Sequence, residues 1–286
     1  MYKGRNMKPS LLAVYAHPDD EAFGTGGTLA TYAAQGIPVT VVSATRGEAG
    51  EIADPTLAKP DTLGTVRENE LRCAARILGI EEPIFLDYRD SGMAGTPENE
   101  HPEAFIQIPT EEVVRRLVGI IRRIQPMVVV TFEPNGGYGH PDHIAIHRHT
   151  VEAFRAAADP ACFPEQGEAW QAHRLFYTAI PRSFFREMRQ RLEALGVDTS
   201  DFERFEQAGA GWPDEDVHVR LDVSTQIDAK WAAMQCHRTQ FGSDSLFRRL
   251  PEDMGRQIMS HEHFALAWPE DVPPGRLAGL FDGLLE

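Results

Sequence analysis

The segment His17-Pro18-Asp19-Asp20-Glu21 sets three carboxylates behind a histidine and a proline, where the apolar run 11–16 ends. Adjacent carboxylates repel, and a divalent cation turns such a cluster from unfavourable to favourable. Zinc binds imidazole nitrogen and carboxylate oxygen; a catalytic zinc takes three protein ligands and keeps a position for water. His17 and Asp20 lie three residues apart at a strand-to-helix corner, a spacing that points both the same way. Asp19 points elsewhere and stays free for proton transfer. A second segment, His140-Pro141-Asp142-His143, offers a third ligand from either histidine. Each segment alone has a plainer reading: acids complement a helix N-terminus, and an HxxH spacing also occurs by chance. The glycine-rich stretch 133–139 before the second segment lacks the Walker lysine and the GxGxxG pattern. It reads as a loop that lets Tyr138 and His140 approach a substrate.

The elements that must position these groups follow from two alternating periods. Short apolar runs at 11–16, 39–44, 83–88 and 127–132 have the composition of strands buried on both faces. Helical spacing covers 26–36, ending at Gly36, and 65–80, where Val66, Leu71, Ala74, Ala75 and Leu78 share a stripe ending near Gly79. It returns at 110–126, with Thr110 as N-cap and Pro126 beyond the end, and at 144–158. This alternation predicts an α/β fold: a Rossmann-like, mostly parallel sheet with helices on both faces and right-handed crossovers. Ligands of such sheets bind outside the carboxyl ends of the strands. The two segments follow the first and fourth strands, so both emerge on that edge, and together they point to a metal centre. Farther on, strands are expected at 174–180, 217–223 and 263–268, a helix at 224–240, and loops at 159–173, 196–216 and 242–262. One domain over 1–286 is expected: a tail at 1–10, an α/β core with both segments at 11–158, and an elaborated C-terminal part at 159–286.

The totals exclude several classes. A formal net charge of −15 leaves no basic footprint for general nucleic-acid binding. No apolar run reaches the length of a membrane span, and residues 1–10 hold no hydrophobic signal core, so a cytoplasmic protein is expected. Met7 is an alternative start, with 1–6 as a frayed tail. Cys73, Cys162 and Cys236 are far apart, odd in number and without CxxC spacing, and read as buried reduced thiols.

AHPDDE at 16–21, with the distal HPDH at 140–143, resembles the glucosaminyl-phosphatidylinositol de-N-acetylase (PIG-L, LmbE-like) family of zinc-dependent deacetylases. TRGEAGE (45–51), LDYRDSGMAGT (86–96), NGGYGHPDH (135–143) and EHFALAW (262–268) are similar to its mycothiol deacetylase and conjugate amidase branch. The resemblance covers most of 11–150 and then thins. It implies His17, Asp20 and His143 as ligands of Zn2+, with iron(II) suited to the same donors. It implies Asp19 as general base and Tyr138 as a group that polarises the carbonyl. His140 would stabilise the oxyanion or protonate the leaving amine. Arg67, Asp90 and Met93 match positions that hold the sugar, and Glu48 lies in a matching active-site loop. Without the resemblance these four read as a helix-surface arginine, a loop acid, a core methionine and a solvated acid. The implied activity is hydrolysis of the N-acetyl group of an N-acetylglucosamine-type conjugate, a small-molecule substrate. The alternatives are an amidase of thiol S-conjugates and a non-catalytic sugar- or metal-binding protein. A pure binder has no need of the free carboxylate of Asp19. The aglycone and the oligomeric state, a homo-oligomer included, stay open.

Overall fold

The computed structural model describes residues 8–196, 198–207, 209–242, 250–275 and 277–285. Met7 and the 1–6 tail lie outside the described residues. Among the described residues, seven strands form one sheet: β1 (Leu11–Tyr15), β2 (Val39–Thr45), β3 (Ile84–Tyr88), β4 (Val128–Thr131), β5 (Arg174–Thr178), β6 (Val219–Asp222) and β7 (His261–Trp268). Their order is β3-β2-β1-β4-β5-β7-β6. The first five are parallel, and β7 runs antiparallel to both β5 and β6.

Every residue of β1 is buried because both faces of the sheet are covered. Leu11, Ala13 and Tyr15 join a core with α1 (Asp20–Ala34), α2 (Leu63–Leu78) and α7 (Ile227–Cys236). Leu12 and Val14 join the opposite core with α3 (Thr110–Ile124) and α4 (Pro141–Ala158). The alternation of side chains along a strand divides one apolar run between two cores. The helices α5 (Arg182–Ala194), α6 (Ser200–Gln207) and α8 (Glu252–Ile258) complete the C-terminal part.

Several boundaries differ from the sequence reading. The first helix begins at Asp20 rather than near Gly26, since its first turn consists of the acids and not of the apolar stripe. Helix α4 begins at Pro141, three residues before the apolar spacing starts; proline suits that first position because its missing N–H has no partner there. The helix expected over 224–240 is a 3-10 turn at Ser224–Gln226 followed by α7, which stops before His237. Helices α6 and α8 fall in segments read as loops, and α5 was not foreseen. They are short or strongly polar, and α5 buries only Met188 and Leu192. Those two meet Leu250 in a small separate core.

The cysteine reading is corrected. Cys73 and Cys236, 163 residues apart, form a disulfide that joins α2 to the end of α7. Cys162 is free and half-buried rather than buried. Sequence spacing cannot see a pair that arises because two distant helices pack side by side. No described helix is long and apolar enough to cross a membrane.

Candidate active site and metal centre

The strand order reverses its winding between β1 and β4, where open α/β sheets have their binding crevice. His17 follows β1 by two residues, and His140 and His143 stand at the start of α4, after β4. The chain therefore meets itself at the reversal: His17 Nδ1 lies 3.2 Å from His143 Nε2. Asp20 Oδ1 is 3.4 Å from that same His143 nitrogen, and Asp20 Oδ2 is 3.8 Å from His17 Nδ1. A tetrahedral ion with bonds of ~2.0–2.2 Å keeps its ligand atoms roughly 3.3–3.6 Å apart, and the His17–His143 and His143–Asp20 distances are of that size.

Each of the three is fixed from behind. The backbone N–H groups of His17 and Ala16 donate to Asp20 Oδ2 at 2.8 and 3.2 Å. The other nitrogen of His17, Nε2, faces Asp142 Oδ2 at 3.2 Å and Asp90 Oδ1 at 3.4 Å. His143 Nδ1 donates to the carbonyl of Gly136 at 3.1 Å, which leaves Nε2 as the free lone pair. Carboxylate or carbonyl partners of this kind orient histidine ligands and set their tautomer. Gly136 has φ +66°, and a Cβ there would lie 2.6 Å from the Cβ of His143, so a side chain would displace that histidine. His17, His140 and His143 also converge within ligand distance, as do His17, Asp90 and Asp142. The second of these groups uses the far side of the His17 ring.

His140 caps α4, and its Nδ1 accepts from the N–H of Asp142 at 3.1 Å. A neutral ring therefore carries its proton on Nε2. Burial, with His17 and His143 beside it, pushes His140 down to about 4. Burial also disfavours the charged form of His17, but Asp90, Asp142 and Asp20 outweigh it and hold that ring well above its ordinary value. Asp90 is shifted below the carboxylate range: its burial is overcome by His17 and by the N–H of Gly92.

Asp19 keeps some exposure, at 22 %. Burial raises its carboxyl to about 6 against the opposing pull of Arg67. Asp20 is raised to about 6 by burial, opposed by His17. A divalent cation beside both would lower them.

Two residues expected on the sugar have other immediate partners. Arg67 is 4 % exposed, not on the helix surface. Its guanidinium donates to Gly47 O at 2.8 Å, Pro18 O at 2.7 Å and Asp19 Oδ2 at 3.2 Å. Gly47 leaves the space for it, since a Cβ there would lie 2.2 Å from Arg67 Nη1. Asp90, 2 % exposed, accepts from the N–H groups of Gly92 and Ala49 and stands behind His17. Both side chains are thus held in place by the chain itself, at the same sheet edge as the two histidine segments. Met93 and Tyr138, at 46 % and 63 % exposed, are open to one. Glu48 is half-buried, and its Oε2 has no hydrogen-bond partner among the described residues.

The sequence reading missed Asp142, which is fully buried, bonds His17 and accepts from the N–H of Ser91 at 3.0 Å. It lies inside HPDH, and its position between two candidate ligands was the available signal. Glu21 and His237 were also missed. Nothing in the sequence joins them.

The family described as GlcNAc-PI de-N-acetylase matches residues 12–154. A 1D-myo-inositol 2-acetamido-2-deoxy-alpha-D-glucopyranoside deacetylase of Geodermatophilus obscurus is 40 % identical over 291 residues, covering 94 % of this chain and 99 % of that protein. A protein of the same description from Catenulispora acidiphila is 41 % identical over 288 residues, covering 96 % and 89 %. The chain belongs to the GlcNAc-PI de-N-acetylase family. Among solved structures, N,N'-diacetylchitobiose deacetylase from Pyrococcus horikoshii superposes with TM-score 0.64 at 21 % identity, over 91 % of this chain and 84 % of that one. The 4-carboxy-2-hydroxymuconate hydratase GalB of Pseudomonas putida superposes with TM-score 0.59 at 23 % identity, over 92 % and 98 %. A hydratase and a deacetylase on one fold show that the architecture alone does not fix the reaction. The near-full-length relatives do: the chain is a hydrolase of the N-deacetylase class.

Proposed function

We propose that the protein hydrolyses the N-acetyl group of an N-acetylglucosaminide whose aglycone is inositol, a step of low-molecular-weight thiol biosynthesis. The relatives that align over nearly the whole chain carry that substrate in their names. The observation that carries the mechanism is the carboxylate of Asp19, partly exposed and held by Arg67 rather than by the His17–Asp20–His143 group. That group would hold zinc, and iron(II) suits the same donors. A bound divalent cation supplies Lewis acidity toward a carbonyl oxygen and a water.

The chain's own groups do the rest. Asp19 takes a proton from the attacking water as the new C–O bond forms. Negative charge then develops on the former carbonyl oxygen. The Nε2–H of His140 and the hydroxyl of Tyr138 are the donors for it, and preorganised donors at such a point contribute most to rate. The C–N bond breaks, Asp19 returns its proton to the amine, and acetate is the second product. A neutral His140 that donates Nε2–H acts here as oxyanion partner, in keeping with the bond its Nδ1 accepts from Asp142. Glu48 and Met93 contact the sugar.

Acetate release from a panel of N-acetylglucosaminides, carrying inositol, malate, lipid or a second sugar, tests this reading with zinc-loaded protein. The inositol glycoside is expected to show the highest kcat/KM. Equal turnover across the panel would defeat the aglycone assignment. Cleavage of thiol S-conjugates without acetate release would replace the deacetylase with the amidase.

A further inference from the structure

Asp19 has φ +111° and ψ −30°, a backbone state unfavourable to a non-glycine residue that persists only where neighbours enforce it. Two clamps enforce it. Arg67 holds the side chain and the carbonyl of Pro18. The second clamp comes from the far end of the chain. The N–H of Asp19 donates to Glu21 Oε2 at 2.9 Å. The other oxygen of that carboxylate, Oε1, lies 2.7 Å from His237 Nε2. Glu21 and His237 are both fully buried, so neither touches solvent or substrate.

His237 is itself held at its place. It follows Cys236, which is bonded to Cys73 on α2. Two residues later Thr239 gives its N–H and its hydroxyl to the two oxygens of Glu70, at 2.9 and 2.6 Å. Arg67, Glu70 and Cys73 are spaced by three along α2 and share a face. One helix face therefore grips Asp19 directly and also grips the 236–239 segment, which grips Asp19 through Glu21.

We propose that His237 and Glu21 are positioning residues for the catalytic base: His237 donates from Nε2 to Glu21, which fixes the N–H of Asp19 and so aims its carboxylate. This explains the third acid of HPDDE, which serves behind the site rather than in it. The inference rests on Asp19 being the base.

The test compares His237→Gln, His237→Asn and His237→Leu for kcat, KM, metal content and thermal unfolding. Glutamine places a donor near the position of Nε2, whereas asparagine places it near Nδ1. Leucine and asparagine are expected to lower kcat about 10–100-fold, the range for outer partners of active-site groups. KM and metal content should stay within about 2-fold, and glutamine should restore most of the rate. In an Asp19→Ala background, His237→Leu should have almost no further effect, because residues acting through one group are non-additive. If Leu misfolds, the Gln and Asn pair still decides, since both are polar and of similar size. Equal rates for Gln and Asn, the full loss again in the Asp19→Ala background, or a loss explained by missing metal would each overturn the proposal. An Asp19→Ala enzyme that keeps its turnover overturns the base assignment and this inference together. Loss in Asp19→Ala with an additive His237→Leu removes only the positioning role.

Discussion

The residues up to 158 and those beyond serve the same site in different ways. The first region supplies every side chain that converges on the proposed metal centre, from two short segments after β1 and β4. Among the described residues, the second region supplies none of those groups. It supplies buried charges that hold the first region in place. Glu262 of β7 accepts from the N–H groups of Gly27 and Thr28 on α1 at 2.9 and 2.7 Å, and pairs with Lys230 of α7 at 2.6 Å. His237 reaches Glu21 at the start of α1. Chemistry on one side and support on the other means that lesions in the two regions should differ in kind: rate or metal in the first, stability or aim in the second.

The strongest break of this division lies at Asp19. Asp19→Ala is expected to lose about 10²–10⁴-fold in kcat, the usual worth of general acid–base help, with metal content unchanged. Metal loss in this variant, measured by elemental analysis, would exchange the roles of Asp19 and Asp20.

The two histidines of HPDH sharpen the comparison within the first region. His143→Ala should lower metal affinity, and added zinc should partly restore its rate. His140→Ala should keep its metal and lose about 10²–10³-fold in kcat, as for removal of an oxyanion donor. Metal content measured beside rate in both variants separates the roles; the reverse pattern would make His140 the ligand.

In the second region Lys230→Met leaves the buried Glu262 carboxylate without its cation. Removing one partner of a buried pair costs about 3–5 kcal/mol, so denaturant unfolding should shift by that order. The kcat of the protein that remains folded should stay close to wild type. A variant as stable as wild type but slow would place Lys230 in the chemistry and undo the division.

The disulfide gives a smaller effect and a simple count. Denatured, unreduced protein should titrate one thiol, that of Cys162. Cys236→Ser should lose about 2–4 kcal/mol of stability, typical for removing such a bond. Three titratable thiols in the same denatured, unreduced protein would restore the reduced reading.

The smallest effect is the response to acid. Burial, with Arg148 beside it, holds His149 down to about 4. The unfolded chain takes up that proton near the ordinary value of about 6.5, so between these two values it binds more protons than the folded chain. Stability from this group is complete above about 6.5 and falls as pH drops toward 4. His149→Gln should flatten the dependence of the unfolding midpoint on pH across that window, while an unchanged slope would mean that the group is not held neutral.

The parallel core was legible in the sequence because each of its elements is a contiguous pattern. The runs at 11–16, 39–44, 83–88 and 127–132 became β1 to β4, with ends shifted by no more than two residues. HPDDE and HPDH were legible for the same reason: candidate metal donors close in sequence, at strand ends that the α/β alternation sends to one edge. Composition and spacing did not choose between His140 and His143, and the family resemblance pointed to His143. In the structure His143 Nδ1 bonds to Gly136 and its Nε2 approaches Asp20, while His140 converges on the same group.

What only the tertiary structure decided are contacts between residues far apart in sequence: Cys73 with Cys236, Glu21 with His237, Arg67 with Asp19, and His17 with Asp90 and Asp142. A buried charge needs a partner, but the partner's position is set by which helix packs on which. That Arg67 and Asp90 are buried against such partners is not legible in the sequence, where Glu21 also read as one more acid in a cluster. Local pattern determines which residues lie at the edge of the sheet. Packing determines which of them face the substrate and which stand behind, since only packing sets how far each charge is removed from water.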